Sequence, residues 1–429
     1  MSYNVLLIGS GGREHALAYK ISQSSKLSKF YAMPGNPGIA SVAECLEGGV
    51  NDFERIKSII KEKQIDLVVV GPEDPLVGGL RNYLFEDESL SNLLFVGPDS
   101  RGAALEGSKD FAKAFMTKYD IPTAAYRSFS AEEFEGAVEF LKSLKPPYVL
   151  KADGLAAGKG VLILSDIEEA SNELKQMFSG KFGTAGNKVV IEEFLSGVEV
   201  SFFVLTDGQD YLLLPEAKDY KRAYDGDKGL NTGGMGAVSP VPFADEEFVA
   251  KVKERIIEPT IDGLIAENID YKGFIFIGLM NCDGDPYVIE YNVRMGDPET
   301  EVVMPRVKSD LLSHLIAAAK GDLSSEQFEV YPKSAMTVIM VSGGYPEGYK
   351  KGFEISGTDK VEEGVIVFNS GTKLSDGKLV TSGGRVLAVT ALGETLPQTR
   401  ELAYQNVAKI SFHDSYNRSD IGVDMINYK

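Results

Sequence analysis

Residues 288–294 read VIEYNVR and place a carboxylate, a carboxamide and a guanidinium at alternate positions of a β-strand pattern. Alternate side chains of a strand lie on one face, so Glu290, Asn292 and Arg294 are predicted to converge. Oxygen donors beside a fixed cation suit Mg²⁺ against a polyphosphate, because this ion takes few protein ligands and fills its shell with phosphate oxygens and water. A solvent-facing strand with an incidental salt bridge is the alternative interpretation.

A second segment, residues 148–161, reads YVLKADGLAAGKGV and predicts two strands joined by a loop of small residues. Glycines at positions 154, 158 and 160 let backbone N–H groups approach phosphate oxygens closely. Lys151 and Lys159 supply positive charge on either side of the loop. The pattern is not a Walker loop, because GxxxxGK[ST] leading into a helix is absent. We predict a nucleotide phosphate site here, the alternative being a hairpin whose glycines serve only the turn.

An apolar strand pattern at residues 189–195 ends in Glu192 and Glu193, and Glu199 follows on the next strand pattern. Such a strand end can offer backbone groups to an adenine edge and carboxylates to ribose hydroxyls. Acidic residues at a strand end are also commonly just solvated. The segment therefore supports a nucleotide site only together with the lysine-flanked loop.

Residues 219–237 contain a further glycine-rich loop, NTGGMGA, with cations and acids just upstream. Glycines this closely spaced indicate close backbone approach or positive φ. The neighbouring charges of Asp219 and Lys221 favour an anion or substrate loop over a mobile surface loop.

The N-terminal segment GSGGREH, residues 9–15, is predicted to open the first helix, where free amides can hold a phosphate. It resembles the dinucleotide fingerprint only weakly, because residues 33–36, MPGN, replace the acid that binds ribose in such sites. A nicotinamide-dependent oxidoreductase is therefore disfavoured. Glu73, after a later strand pattern, is predicted to line the same crevice as Gly11 and Gly12.

The order of elements predicts an α/β and α+β multidomain protein. Residues 1–101 alternate short apolar strands with helices, which is typical of a doubly wound parallel sheet. A small α+β unit follows at residues 122–190, inside a larger unit that spans residues 102–330 and contains a mixed sheet. The pattern of residues 331–429 predicts a smaller β-rich domain whose last element is a helix.

Composition excludes several classes of protein. The chain of 429 residues carries a net charge of −19, which leaves no basic excess for general binding to nucleic acid. No stretch approaches the ~20 apolar residues of a membrane span. The two cysteines are far apart, so neither a disulfide framework nor a zinc site is indicated. We expect a soluble cytoplasmic protein.

These segments together resemble the ATP-grasp superfamily and, within it, the glycinamide ribonucleotide synthetase family. The pieces that carry the resemblance cover nearly the whole chain and are GSGGREHALAYK (9–20), GPEDPLVGGL (71–80), LEGSKDFAKAFM (105–116), KADGLAAGKGV (151–161), IEEFLSGVEVSFFVLTDG (191–208), DYKRAYDGDKGLNTGGMGAVSP (219–240) and EYNVRMGDPE (290–299).

The resemblance implies a reaction that spacing cannot show. ATP would phosphorylate the glycine carboxylate, and 5-phosphoribosylamine would attack the acyl phosphate to give glycinamide ribonucleotide, ADP and phosphate, an early step of purine biosynthesis. It also implies an N-terminal Rossmann-like domain, a central ATP-grasp fold with residues 122–190 as a mobile lid, and a C-terminal domain. Mg²⁺ is the implied ion, with Mn²⁺ as the alternative.

The resemblance assigns roles to matching positions. The implied ATP-binding residues are Lys109, Lys151, Gly154, Gly158, Lys159, Gly160, Glu192, Glu193, Leu195 and Glu199. Glu290 and Asn292 would hold the metal ion, and Arg294, Lys151 and Asp219 would be catalytic. The implied substrate contacts are Gly11, Gly12, Glu73, Asp219, Lys221, Asn231, Thr232, Gly233, Gly234 and Arg294.

The chain also departs from the family pattern. The family usually shows His at Tyr220, Pro at Leu230 and Gln at Glu301. Many ATP-grasp relatives place a second acidic metal ligand where residues 278–280, GLM, stand here. The number of metal ions and the roles of those three positions therefore stay open.

Two other functions stay open from sequence alone. One is another ATP-grasp carboxylate–amine ligase of purine biosynthesis, and the other is a nucleotide sensor or carrier without turnover. The expected partners are glycine, 5-phosphoribosylamine and ATP, with a transient contact to the upstream amidophosphoribosyltransferase also considered. A monomer or a small homo-oligomer fits the sequence equally well.

Overall fold

A computed structural model describes residues 2–155 and 160–428 of the chain. The N-terminal part is a five-stranded parallel sheet in the order β3-β2-β1-β4-β5, as predicted for a doubly wound fold. Its elements are β1 Tyr3–Gly9, α1 Gly12–Ile21, β2 Leu27–Pro34, β3 Glu44–Cys45, α2 Phe53–Glu62, β4 Leu67–Val70, α3 Glu73–Val77, α4 Leu80–Phe85 and β5 Leu94–Val96.

Two helices link this sheet to the rest of the chain, α5 Ser100–Gly107 and α6 Lys109–Lys118. The apolar pattern around residues 105–119 suggests one helix, but Ser108 breaks it. The backbone of Ser108 is extended (φ −139°, ψ 115°), and its Oγ accepts a hydrogen bond from the Phe111 N–H at 3.1 Å. A serine that caps a new helix satisfies an amide that would otherwise be left unpaired. Lys109 therefore lies at the start of a helix.

Residues 126–192 contain a four-stranded antiparallel sheet in the order β6-β9-β7-β8. Its helices and strands enclose a hydrophobic core separate from that of the rest of the chain. A unit with its own core can move as one body, which is what a lid requires. Its elements are β6 Tyr126–Ser130, α7 Phe134–Ser143, β7 Tyr148–Ala152, β8 Val161–Leu164, α8 Ile167–Gln176 and β9 Lys188–Glu192.

The central part builds most of an eight-stranded antiparallel sheet. A helix that runs without interruption from Glu246 to Ala266 packs beside it and widens to a π-helical turn at Lys253–Ile257. The elements are β10 Val198–Thr206, β11 Tyr211–Asp219, β12 Arg222–Tyr224, β13 Lys228–Asn231, β14 Gly236–Ser239, α9 Glu246–Val252, α10 Glu258–Ala266, β15 Gly273–Cys282, β16 Asp285–Asn292, α11 Thr300–Arg306 and α12 Leu311–Lys320.

The C-terminal strands extend this central sheet, whose full order is β16-β15-β10-β11-β14-β17-β21-β18. The join is the antiparallel pairing of β14 with β17, from Gly236 opposite Val338 to Ser239 opposite Ala335. The elements are β17 Ser334–Val341, β18 Ile366–Asn369, β19 Thr372–Ser375, β20 Lys378–Thr381, β21 Arg385–Gly393, α13 Leu396–Val407 and α14 Val423–Ile426. None of the helices described has the length and apolar character that a membrane crossing requires.

Glu301 lies on α11 where that helix packs against α1, and its side chain is fully buried. Neither carboxyl oxygen has a hydrogen-bond partner within the described ranges. A Cβ atom added at Gly12 would lie 2.2 Å from Glu301 Oε1, so only glycine fits opposite it. Burial raises the pKa of Glu301 well above its usual 4.5; the negative charge of Asp297 adds to this rise, and Arg385 opposes it.

Glu301→Gln is expected to raise the free energy of unfolding at pH 8 by roughly 1 kcal/mol or more, because glutamine, unlike Glu301, takes up no proton when the chain folds. The native state holds a proton on Glu301 that the unfolded chain releases above about pH 4.5. The contribution of Glu301 to the free energy of unfolding is therefore fully present below about pH 4.5 and is lost as the pH rises. Urea unfolding at pH 5.5 and pH 8 should show a smaller pH dependence in the variant. Equal pH dependence in the two proteins would contradict the prediction.

Candidate active site

A cleft of about 750 Å³ lies where the N-terminal sheet, the 126–192 unit, the central sheet and the C-terminal strands meet. This volume is within the range typical of small-molecule sites. The cleft brings together most of the residues predicted from sequence, namely Glu73, Lys109, Lys151, Gly154, Gly160, Glu192, Asp219, Lys221, Asn231, Thr232, Gly233, Glu290, Asn292 and Arg294.

Several predicted residues do not line this cleft: Gly11, Gly12, Glu193, Leu195, Glu199 and Gly234. The amide of Gly11 is occupied by Glu14, whose Oε2 accepts its hydrogen at 2.6 Å. Gly12 faces Glu301 and Ser370. Gly158 and Lys159 lie outside the described residues.

The prediction of one strand face holding Glu290, Asn292 and Arg294 needs a correction. The bulge in the pairing of β16 with β15 lies before Glu290, so Glu290 and Asn292 keep a regular register opposite Gly278 and Phe276. The strand then ends at Asn292. Arg294 therefore reaches the cleft from the loop after the strand, although all three side chains line the same space.

Glu290 and Asn292 are the residues that fit a divalent ion. Within residues 2–155 and 160–428 neither side chain has a hydrogen-bond partner, and no group of three or more His, Cys, Asp or Glu side chains could hold a metal ion. A carboxylate and an amide oxygen are hard donors, and two protein ligands are usual for Mg²⁺ bound with a polyphosphate. The donor set therefore suits an ion that a nucleotide brings with it.

Lys151 and Lys113 share the buried carboxylate of Glu192 at one wall of the cleft. Their Nζ atoms lie 2.9 Å and 3.1 Å from Glu192 Oε2. Lys151 also donates to the Ile289 carbonyl at 3.1 Å, which ties the 126–192 unit to β16. Burial lowers the pKa of Lys113 to about 8. The other oxygen of Glu192 is buried without a partner among the described residues, so Glu192 acts first as a counter-ion here.

Lys109 lies nearby at the N-terminus of α6, where it donates to the Gly154 carbonyl at 2.9 Å. Burial lowers the pKa of its ammonium group. The cation therefore contacts the first glycine of the predicted phosphate loop. A helix N-terminus and a lysine beside a glycine-rich turn together favour an anion.

Arg294 is held by two carboxylates from other parts of the chain. It donates to Glu106 at 2.8 Å and to Glu73 at 3.2 Å. Burial raises the pKa of Glu106 to about 6, although Arg294 opposes that rise. For Glu73 burial also acts to raise the pKa, but Arg294 and Arg13 outweigh it, so that this pKa is lowered. Arg294 is thus oriented in the cleft before any ligand binds.

The opposite wall carries a second charge cluster. Lys221 Nζ lies 2.6 Å from Glu199 Oε2. Burial alone would lower the pKa of Lys221, but Asp219, Glu199 and Glu290 raise it well above its usual value. Burial raises the pKa of Asp219. Burial also raises the pKa of Glu299 to about 7, and Glu299 accepts a hydrogen bond from the Ser201 hydroxyl at 3.1 Å. This wall can therefore bind both a cationic amine and an anion.

Sequence reasoning missed several lining residues: Arg13, Glu106, Lys113, Glu299, Tyr345 and Arg385. For Lys113 a signal was present, since it lies one helical turn after Lys109 and so faces the same side. Glu106 and Glu299 lie inside the quoted motifs. Arg385, which bonds the carbonyl of Gly233, comes from the C-terminal strands and had no sequence signal.

Three family models match the chain, all of phosphoribosylglycinamide synthetase. They are its N domain at residues 3–106, its ATP-grasp (A) domain at residues 107–300 and its C domain at residues 335–424. A phosphoribosylamine–glycine ligase of Caldanaerobacter subterraneus subsp. tengcongensis is 44% identical over 418 residues, covering 97% of this chain and 99% of that protein.

Two solved structures are also similar to this chain. The crystal structure of phosphoribosylamine–glycine ligase from Thermotoga maritima superposes with a TM-score of 0.85 at 37% identity, covering 97% of this chain and 99% of that one. A biotin carboxylase domain from Hydrogenobacter thermophilus, in complex with MgADP, ADP and bicarbonate, gives a TM-score of 0.75 at 16% identity, covering 100% and 95%, and shares the fold. Because the family matches extend over nearly the whole chain, it belongs to the phosphoribosylglycinamide synthetase family of ATP-grasp proteins.

Proposed function

We propose that this chain ligates glycine to 5-phosphoribosylamine at the expense of ATP, through a glycyl phosphate, and releases glycinamide ribonucleotide, ADP and phosphate. The observation that carries the proposal is one cleft that joins Lys151 of the β7–β8 hairpin, the Glu290–Asn292 pair and Arg294. Phosphoryl transfer needs positioning and charge neutralisation more than a protein nucleophile. The charged groups of the cleft meet that need.

In this proposal Lys109 and Lys151 bind the ATP phosphates together with the backbone of the 153–161 loop. Each lysine is oriented by a protein oxygen, the Gly154 carbonyl or Glu192, so little side-chain freedom is lost when phosphate binds. The strand end at Glu192, Glu193 and Leu195 faces adenine, and Glu199 contacts the ribose. The lysines then neutralise charge on the transferred group.

Glu290 and Asn292 would hold Mg²⁺, with Mn²⁺ as the alternative ion. When bound, such an ion neutralises phosphate charge and polarises the transferred phosphoryl group. Arg294, fixed by Glu106 and Glu73, steadies the acyl phosphate. Its guanidinium presents several N–H donors in a plane that suits carboxylate and phosphate oxygens.

The second wall of the cleft would take the substrates that carry amino groups. Asp219 and Lys221, with Asn231, Thr232, Gly233 and Gly234, face glycine or the ribosylamine. Gly11, Gly12 and Glu73 are proposed to contact the phosphoribosyl group. Among these three residues, Glu73 lines the cleft. A transient contact with the upstream amidophosphoribosyltransferase would shorten the path of an unstable amine.

ADP release by the purified protein tests this function. It is expected only when ATP, glycine, freshly generated phosphoribosylamine and a divalent ion are all present. ADP formation without glycine or the amine would reject the assignment. Turnover with bicarbonate or formate in place of glycine would identify a different ligase, and binding of labelled ATP without single turnover would indicate a sensor.

We also propose that residues 122–190 close over ATP as a lid. Spin labels at Glu168 and Lys350, in a variant whose two native cysteines are serine, should move closer when a non-hydrolysable ATP analogue and Mg²⁺ are added. Both positions are exposed: Glu168 lies on α8 of the lid unit, and Lys350 follows shortly after Tyr345 and Pro346, which line the cleft. Lid closure commonly shields phosphoryl transfer from water. An unchanged distance distribution would contradict the proposal.

A further inference from the structure

The segment between β11 and β14, residues 220–235, supplies part of the cleft wall but has little core of its own. Lys221, Asn231 and Thr232 line the cleft. Between them β12 and β13 form a two-stranded hairpin, and all four residues of β13 are exposed. An isolated hairpin of this kind is marginally stable in water. Contacts from elsewhere must therefore fix its position.

Arg418, in the C-terminal segment, supplies the central contact to this hairpin. It is 1% exposed, and its Nη1 donates to Asp227 Oδ1 at 2.8 Å and to the Arg222 carbonyl at 3.2 Å. Its Nε and Nη2 bind both oxygens of Asp420, at 2.7 Å and 2.8 Å. Asp420 in turn accepts the Gly226 N–H at 2.8 Å. One guanidinium therefore joins the hairpin turn to the C-terminal segment.

The same C-terminal segment holds the hairpin at further points. Asp225 Oδ1 accepts the Ser419 N–H at 2.8 Å, and the rings of Tyr224 and Tyr416 meet edge-on at 5.7 Å. At the base of the segment, the hydroxyl of Tyr220 donates to Asp424 Oδ1 at 2.5 Å. Residues 416–424 thus contact both the tip and the base of the 220–235 segment.

We propose that Arg418 is a positioning residue that holds the 220–235 segment so that Lys221, Asn231 and Thr232 face the substrates. Arg418 itself does not line the cleft. Charge-assisted, bidentate hydrogen bonds combine strength with fixed geometry, which suits this task. The identity of those substrates rests on the proposed function, whereas the contacts that position the segment do not.

Arg418→Gln is expected to lower kcat/KM for glycine and for phosphoribosylamine by about 10²-fold, because a shift of about 1 Å in a substrate wall has this effect. The Kd for ATP on the free protein should change much less. The lysines proposed to bind ATP come from α6 and β7 and do not contact Arg418, and among the proposed ATP contacts that the structure describes Glu199 alone bonds the segment, through Lys221. Arg418→Lys should recover part of the loss, since an ammonium group can bind one carboxylate but not span both.

Asp227→Asn tests the same contact from the hairpin side. The Asp227 side chain is 68% exposed, so this variant should fold even if Arg418→Gln does not. Asp227→Asn removes one of the contacts of Arg418, so its loss should be the smaller, and the double variant should lose little more than Arg418→Gln alone. Arg81→Gln is the matched control. Arg81 is also buried and also binds a carboxylate and a carbonyl, both of Asp270, but it lies on α4 of the N-terminal part.

Hydrogen exchange gives a readout that does not require activity. The Thr232 N–H donates to the Lys221 carbonyl at 2.7 Å, and the Met235 N–H to the Tyr220 carbonyl at 2.7 Å. Both amides should exchange faster in Arg418→Gln and Asp227→Asn than in Arg81→Gln. Unchanged exchange and kinetics in both variants would overturn the proposal, and so would an equal loss of ATP affinity. Absence of ligation in the wild type would instead reject the proposed function.

Discussion

Replacing Glu290 with glutamine is expected to lower kcat/KM for ligation by about 10³-fold, the scale of losing one fixed charge partner in a transition state. Glu290 lines the cleft, is half-buried and has no hydrogen-bond partner among the described residues. Its carboxylate is thus available to an ion, and its loss should leave the fold intact. Titration of the variant with Mg²⁺ should show a higher ion requirement, while thermal unfolding without ligands stays as in the wild type.

Asp285→Asn is the matched control, since it makes the same chemical change on the same strand, β16. Asp285 binds Arg255 at 2.8 Å on the surface and does not line the cleft. This control should keep normal kinetics, because surface ion pairs contribute little. Near-normal kcat/KM and ion requirement in Glu290→Gln would remove Glu290 from the metal site.

Lys151→Met should have an effect of similar size, about 10³-fold in kcat/KM, because it removes a cation placed for the ATP phosphates. Lys113→Met is the control, because Lys113 binds the same oxygen of Glu192. Either change leaves Glu192 with one lysine, so each should lower the free energy of unfolding by about 1–3 kcal/mol. Steady-state kinetics and urea unfolding measure the two effects separately.

The comparison separates a phosphate role from an ion-pair role. If the loss of activity arose from the disturbed Glu192 carboxylate, the two variants would be equally impaired. The prediction for Lys151 requires a much larger kinetic loss than in Lys113→Met at equal loss of stability. A Lys151→Met variant with near-normal kcat/KM would exclude Lys151 from phosphate binding.

Local patterns were sufficient for much of the fold. The parallel N-terminal sheet and the hairpin around Lys151 follow from apolar periodicity and glycine placement, and both are confirmed. Helix boundaries were less accurate, because a single capping serine, Ser108, divides one apolar pattern into two helices. The pattern records which residues are buried, whereas the break depends on one backbone conformation.

Contacts between segments that are distant in the chain could not be predicted from the spacing of residues in the sequence. The pairing of β14 with β17 and the approach of Arg385 to Gly233 join residues about a hundred or more positions apart. The buried position of Glu192 between two lysines likewise depends on how three elements pack. The roles proposed for individual residues came from motif resemblance, and the experiments above test them.

The β14–β17 pairing has a practical consequence for anyone who divides this protein. A chain shortened at residue 330 would lose the neighbour of β14 and leave the N–H and C=O groups on one side of that strand unpaired, as a new edge of the sheet. Open edges of this kind invite pairing between molecules and aggregation. The last hundred residues are therefore better regarded as a structural continuation than as an attachment that could be removed or exchanged.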